Sequence, residues 1–191
     1  MAPKIKTTRE DIIRVALELV RKSGADSINA RSIAAALDCS TQPVFSNFSS
    51  MKELFSATID AAYAVYFNFI EREIKENKYP EYKAMGRAYI RFANEEKELF
   101  KLLFMRDRSS EDTTNTPSDF EKSIELIMNA NGISREDAML MHLEIWSCVH
   151  GIASMTATSF LTLSDELISN MLSDIYQGLR KHKVENKNER N

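Results

Sequence analysis

The 191-residue chain is 43% hydrophobic and 28% charged, the balance of a globular protein long enough to bury a sizeable core. Five glycines and four prolines are too few for the turns of an all-β fold and favour long helices. The net charge of −3 is unevenly placed: eight basic and six acidic residues through Phe55 give that stretch +2, so the remainder carries −5, a basic head on an acidic body.

In chain order, Met1 to Lys6 is charged and leads into no apolar stretch of signal-peptide type. Thr8 then caps a first helix, with Glu10 and Asp11 at the positive end of its dipole. Ile12, Ala16 and Val20, with Ile13, Leu17 and Leu19, recur at helical spacing, and Gly24 ends the helix. Asn29 caps a short second helix that turns Ile33, Ala34 and Leu37 inward. Asp38-Cys39-Ser40 reads as a turn. A third short helix follows, accepting Pro43 in its first turn and directing Val44, Phe45 and Phe48 inward. Ser50 to Glu53 has the form of a capping box opening a long fourth helix to about Asn77.

Periodicity predicts further helices over about 81–95, 97–106, 118–130, 134–161 and 164–182. The polar stretch Arg106 to Ser118 reads as a mobile loop, and residues 184–191 as a disordered charged tail. The region Ala138 to Leu163 is broken by His142, Glu144 and His150, so no membrane partner is expected. The expected fold is all-α: a three-helix helix-turn-helix domain over 1–50, then a helical bundle over 51–183.

Two short helices joined by a tight turn and backed by a longer one are the arrangement that presents a helix to the major groove. Gly24, Arg31-Ser32-Ile33-Ala34, Ser40, Phe45-Ser46-Asn47-Phe48 and Glu53-Leu54 agree in register with one family, and Ser23 to Leu54 resembles the DNA-binding region of TetR-type transcriptional regulators. Resemblance and geometry together place Thr41, Gln42, Val44, Ser46 and Asn47 on the recognition helix. The Gln42 and Asn47 amides suit adenine, and the methyls of Thr41 or Val44 suit thymine. Ser40 and the free amides beside it suit a phosphate. Arg31, Lys4, Lys6 and Lys52 supply a sequence-independent electrostatic grip, with surface solvation as the alternative for each. Two positions depart from the family pattern. Its usual tyrosine is Phe45 here, and its usual lysine is Met51, with a lysine displaced to Lys52. Each change removes a charged hydrogen bond to phosphate, a contact of about 1.5–3 kcal/mol.

The body is rich in aromatic and methionine side chains. Tyr63, Tyr66, Phe67, Tyr89, Phe92, Phe104, Trp146 and His150 are candidates to line a pocket for a small apolar or aromatic ligand, which the resemblance implies; a packed core is the alternative. Trp146 to Gly151 also resembles the Trp…His-Gly signature of a class of TetR regulatory domains. His142, Trp146 and His150 fall on one face, with a buried histidine packed against Trp146 and Gly151 permitting close helix approach. Cys148 lies on the opposite side of that helix, so no metal site is expected. Cys39 and Cys148 offer no disulfide framework, which fits reduced thiols and a cytoplasmic location, and no cofactor is expected.

Apolar stripes at Leu143, Ile152, Ala153 and Thr156, and at Leu167, Met171, Leu172, Ile175 and Leu179, fit either an internal core or the two-fold four-helix dimer that the resemblance implies. Such a dimer sets two recognition helices at least one DNA turn apart, about 34–36 Å, and matches a palindromic operator on double-stranded DNA. The functional expectation is a homodimeric, ligand-responsive repressor released by a small-molecule inducer. The alternative is a helical sensor or interaction protein whose helix-turn-helix reads DNA weakly or not at all. No nucleophile–base pair, phosphate loop or carboxylate dyad supports an enzyme.

Overall fold

The computed structural model describes residues 7–109 and 118–190, with side chains from 119 to 183 in the second stretch. Lys4, Lys6 and most of the expected loop before residue 118 lie outside the described residues. Within them the chain is all-α, with no strand: α1 (Arg9–Ser23), α2 (Ala30–Ala36), α3 (Gln42–Asn47), α4 (Met51–Lys75), α5 (Glu81–Glu95), α6 (Lys97–Phe104), α7 (Ser118–Asn131), α8 (Arg135–Ala157) and α9 (Asp165–Arg190).

Local chemistry explains most boundaries. Thr8 and Asp11 form a reciprocal capping box at the start of α1, and Gly24 closes it at φ 77° with its N–H on the Val20 carbonyl. A 3-10 turn, Ala25–Ser27, intervenes before Asn29 caps α2 through the Ser32 amide at 2.9 Å. At α4 the expected box is half realised. Ser50 Oγ accepts from the Glu53 amide, but Glu53 bonds the Ser49 amide and hydroxyl rather than Ser50.

α8 ends at Ala157, short of the expected 161. Ser159 turns left-handed at φ 57°, and the Phe160 amide closes on the Met155 carbonyl at 2.9 Å. α9 continues through Arg190, past the expected end near 182, over a stretch of Lys, Val, Glu, Asn and Arg that holds no proline or glycine.

The chain folds as two compact units, and their division does not follow a cut at residue 50. Unit 1 comprises Met1–Asn68 with Glu96–Arg106; unit 2 comprises Phe69–Glu95 with Asp107–Asn191. In unit 1, Ile12, Val15, Ala16, Ile33, Val44, Phe48 and Leu54 share one core. α6 belongs here because it packs on α1. Arg21 fixes it with a bidentate pair to Glu96 (2.9 and 2.8 Å). In unit 2, α5 lies against α8, with α7 and α9 completing the packing. Its buried Arg87 bonds Glu73 at 2.9 Å and the exposed Asp165 at 2.8 Å. Ile152, Ala153, Thr156 and Leu172, expected on stripes open to either reading, are buried within the chain.

Candidate nucleic-acid interface

The helix-turn-helix reverses at Asp38, whose φ of 49° gives the tight turn between α2 and α3. Pro43 sits in the first turn of α3, where its missing N–H has no helical partner to lose. One face of the six-residue α3 is committed to the core through Val44, followed at its C-cap by Phe48. That corrects two expectations. Val44 is 1% exposed, so it is a core residue with no methyl to offer DNA. Phe45 is 56% exposed, so it points outward rather than in. Neighbours on a helix are about 100° apart, and the chain can bury only one of these two against Ile33 and Leu54.

The outward surface of α3 is therefore Gln42, Phe45 and Ser46, with Thr41 and Asn47 half-buried and Ser40 exposed just before the helix. Ser46 Oγ donates to the Gln42 carbonyl at 2.9 Å, and Asn47 Nδ2 to the Pro43 carbonyl at 2.8 Å. These two side chains are partly spent within their own helix. The Gln42 amide has no partner among the described residues. Arg31 on α2 and Lys52 on α4 are exposed and carry no ion pair among the described residues.

Sequence reasoning leaves Arg9 unassigned, yet it holds α3 in place. Its Nη1 donates to the Asn47 carbonyl (2.9 Å) and to Glu53 (2.8 Å), and its guanidinium lies 4.1 Å from the centre of the Phe48 ring. The Ser49 hydroxyl and amide, then Arg9, hold the Glu53 carboxyl down at about 2. No short-range pattern flags this residue, because its partners lie about 40 positions away in sequence.

The expected ligand-lining residues fall into separate groups. Tyr63, Tyr66, Phe67 and Phe104 meet in unit 1, with Tyr66 edge-on to Phe104 at 5.4 Å and Tyr63 edge-on to it at 6.1 Å. Phe92 is fully buried in unit 2 against Phe69 at 5.4 Å. Also in unit 2, Tyr89 Oη stands 2.8 Å from His150 Nδ1, and Trp146 stacks on that imidazole at 5.2 Å. Trp146 is 43% exposed, so the stack sits at the surface. The deeply buried histidine is His142, which takes Tyr82 Oη at 3.0 Å on Nδ1 and the Phe120 edge at 4.8 Å. Burial holds both imidazoles below the ordinary histidine pKa, with Asp119 opposing it at His142. Burial likewise raises the Tyr82 hydroxyl and the Cys148 thiol. Gly151 does not serve a close approach within the chain, since a Cβ there would meet nothing within 4 Å. Among the described residues no cluster of His, Cys, Asp or Glu could hold a metal, and no helix is long and apolar enough to cross a membrane.

The fold is a helix-turn-helix whose α3 faces outward, followed by further helices. Residues 82–174 match the family model described as tetracyclin repressor-like, C-terminal domain. That stretch of the chain is similar to the C-terminal domain of TetR-type proteins. Solved structures share the fold at low identity. A protein of unknown function from Rhodococcus sp. RHA1 has a TM-score of 0.75 at 19% identity, covering 94% of this chain and all of its own. A TetR-like transcriptional regulator from the same organism has a TM-score of 0.67 at 15% identity, covering 88% and 93%. The multidrug binding protein EbrR, complexed with imidazole, has a TM-score of 0.60 at 15% identity, covering 87% and 88%. No curated protein matches the sequence.

Proposed function

We propose that the chain is a ligand-responsive transcriptional regulator that represses by binding a palindromic operator as a homodimer. The observation that carries this reading is the outward face of α3, held by Arg9 and the buried Val44 and Phe48, and flanked by the exposed cations Arg31 and Lys52. α8 also leaves Met139, Leu140, Leu143 and Trp146 exposed along one side, with Leu167 exposed on α9. A large apolar surface on a water-facing helix is what a two-fold partner covers. Gly151 costs about 0.5–1 kcal/mol relative to alanine inside a helix, and the helix of a second copy is what its open side would admit.

Release follows from α6. The Tyr63, Tyr66, Phe67 and Phe104 rings tie α4 to α6, and Arg21–Glu96 ties α6 to α1. A small aromatic inducer entering among those rings shifts α6 and, through it, α1. The inducer must bind the DNA-incompetent arrangement better than the competent one, or it shifts nothing.

The test is titration of the full chain against a randomised duplex library and against the DNA upstream of its own gene, at several salt concentrations. Sequence-dependent binding with a steep salt slope is expected, the slope falling by about one for each cation removed in Arg31→Ala and Lys52→Ala. Binding without sequence preference or salt dependence overturns the reading. It would favour instead a helical sensor, which the uncharged α3 and the loss of a tyrosine hydroxyl at Phe45 would fit.

A further inference from the structure

The recognition helix carries no charged side chain: it reads Gln42-Pro43-Val44-Phe45-Ser46-Asn47. Guanine is most often read by a bidentate arginine or lysine on its O6 and N7, and this helix has neither. Its small polar groups are largely occupied, because Ser46 and Asn47 donate to carbonyls of their own helix at 2.9 and 2.8 Å. Two side chains project without partners among the described residues, the Gln42 amide and the Phe45 ring. The Phe45 ring is 56% exposed on an otherwise polar face, beside the Gln42 amide.

The ring has no hydrogen-bonding atom, so it cannot contact a phosphate as a tyrosine would. Of the four base edges in the major groove, one offers an apolar group: thymine, through its 5-methyl. Gln42 and Phe45 are three residues apart, on adjoining turns of one face and about 4.5 Å apart along the axis. The base-pair step is about 3.4 Å. The two side chains therefore span one step, the amide reaching an adenine and the ring a thymine methyl on the same or the neighbouring pair. The exposed cations Arg31 and Lys52 lie on α2 and α4, where they serve the backbone and leave α3 to the bases.

We propose that Phe45 is a specificity-determining residue that reads the 5-methyl group of a thymine in each operator half-site, beside an adenine contacted by Gln42. This rests on the operator-binding reading above. The requirement is for A·T pairs, enforced by shape and a methyl group and not by charge.

The experiment uses the full chain and a duplex selected from a randomised library, with thymine replaced by deoxyuridine at the enriched position so that only the methyl is removed. Wild-type affinity is expected to fall about fourfold per half-site, the worth of one buried methyl group, and about fifteenfold when both half-sites are changed. Phe45→Ala is expected to bind the thymine and deoxyuridine duplexes equally, and Phe45→Leu to retain part of the discrimination. Phe45 is 56% exposed, so its truncation leaves the core intact, and an unchanged thermal melt verifies this. Equal wild-type affinity for both duplexes, or the same loss in Phe45→Ala as in wild type, overturns the inference. Failure of the wild type to enrich any sequence overturns the operator-binding reading itself, so the two failures are distinct.

Discussion

Replacing Glu73 with leucine breaks the most buried ion pair described in unit 2. Glu73 is 5% exposed, and its Oε1 takes Arg87 Nε at 2.9 Å, while Arg91 approaches Oε2 at 3.5 Å. Burial opposes the Arg87 charge, but the hydrogen bonds it donates to Glu73 and Asp165 more than offset it, so its pKa stands above the ordinary value. Removing one partner of a buried pair costs about 3–5 kcal/mol, because the remaining charge is left in a poor environment. Asp165 still reaches Arg87 at 2.8 Å, and the Tyr79 ring lies 4.6 Å from the guanidinium, so the lower end, about 3 kcal/mol, is expected. For a chain of this length that lowers Tm by about 6–12 °C.

The double variant Glu73→Leu/Arg87→Met removes both charges, and should return to within about 1 kcal/mol of wild type. Urea unfolding at fixed protomer concentration measures both, with the slope unchanged if compactness is unaffected. A Glu73→Leu chain as stable as wild type would refute the reasoning. So would a double variant as unstable as the single one.

The buried His142 and the half-buried His150 make stability depend on pH. Their folded pKa values lie below the ordinary 6.5, so their contribution is intact above 6.5 and is lost as pH falls through the depressed folded values. The urea midpoint of wild type should drop between about pH 7 and 5 more steeply than that of His142→Gln/His150→Gln, and parallel profiles would exclude this. Leu143→Glu, on the exposed side of α8, should convert the proposed dimer to monomer in sedimentation without lowering monomer stability, and weaken operator binding; a variant that keeps a wild-type dimer mass would exclude Leu143 from the interface. Arg9→Gln should weaken DNA binding while leaving the salt slope unaltered, since that charge is engaged by Glu53 and Asn47; a slope reduced by about one would make it a phosphate contact.

The elements of the fold are legible in the sequence where their causes are local. Thr8, Asn29 and Ser50 sit at the helix starts they were expected to cap, and Gly24 at the helix end, because a cap depends on residues three or four positions away. The membership of α6 is not local. Residues 97–106 read as one more helix of the body, yet Arg21 and Glu96, 75 positions apart, bring it onto α1. A hydrophobic stripe records that a helix is covered and not what covers it. The same limit applies to Ile152, Ala153 and Thr156, whose spacing serves an internal core and a dimer seam equally well.

The candidate site shows the limit most sharply at Val44 and Phe45. Both are apolar, and a helix of six residues is too short for periodicity to choose between them. The choice falls to the space that α1, α2 and the start of α4 leave between them, lined by Ile12, Ile33 and Leu54. The branched valine fills it, and Phe48 closes the end of the helix, so the larger ring at 45 has no room inside. Packing complementarity of this kind belongs to three helices at once and leaves no mark on any one of them. Its consequence reaches function: the same geometry that hides Val44 from DNA puts a phenyl ring next to the Gln42 amide on the face α3 presents outward. Under the proposed function, affinity and sequence preference fall to different elements, cations on α2 and α4 for the first and an uncharged α3 for the second.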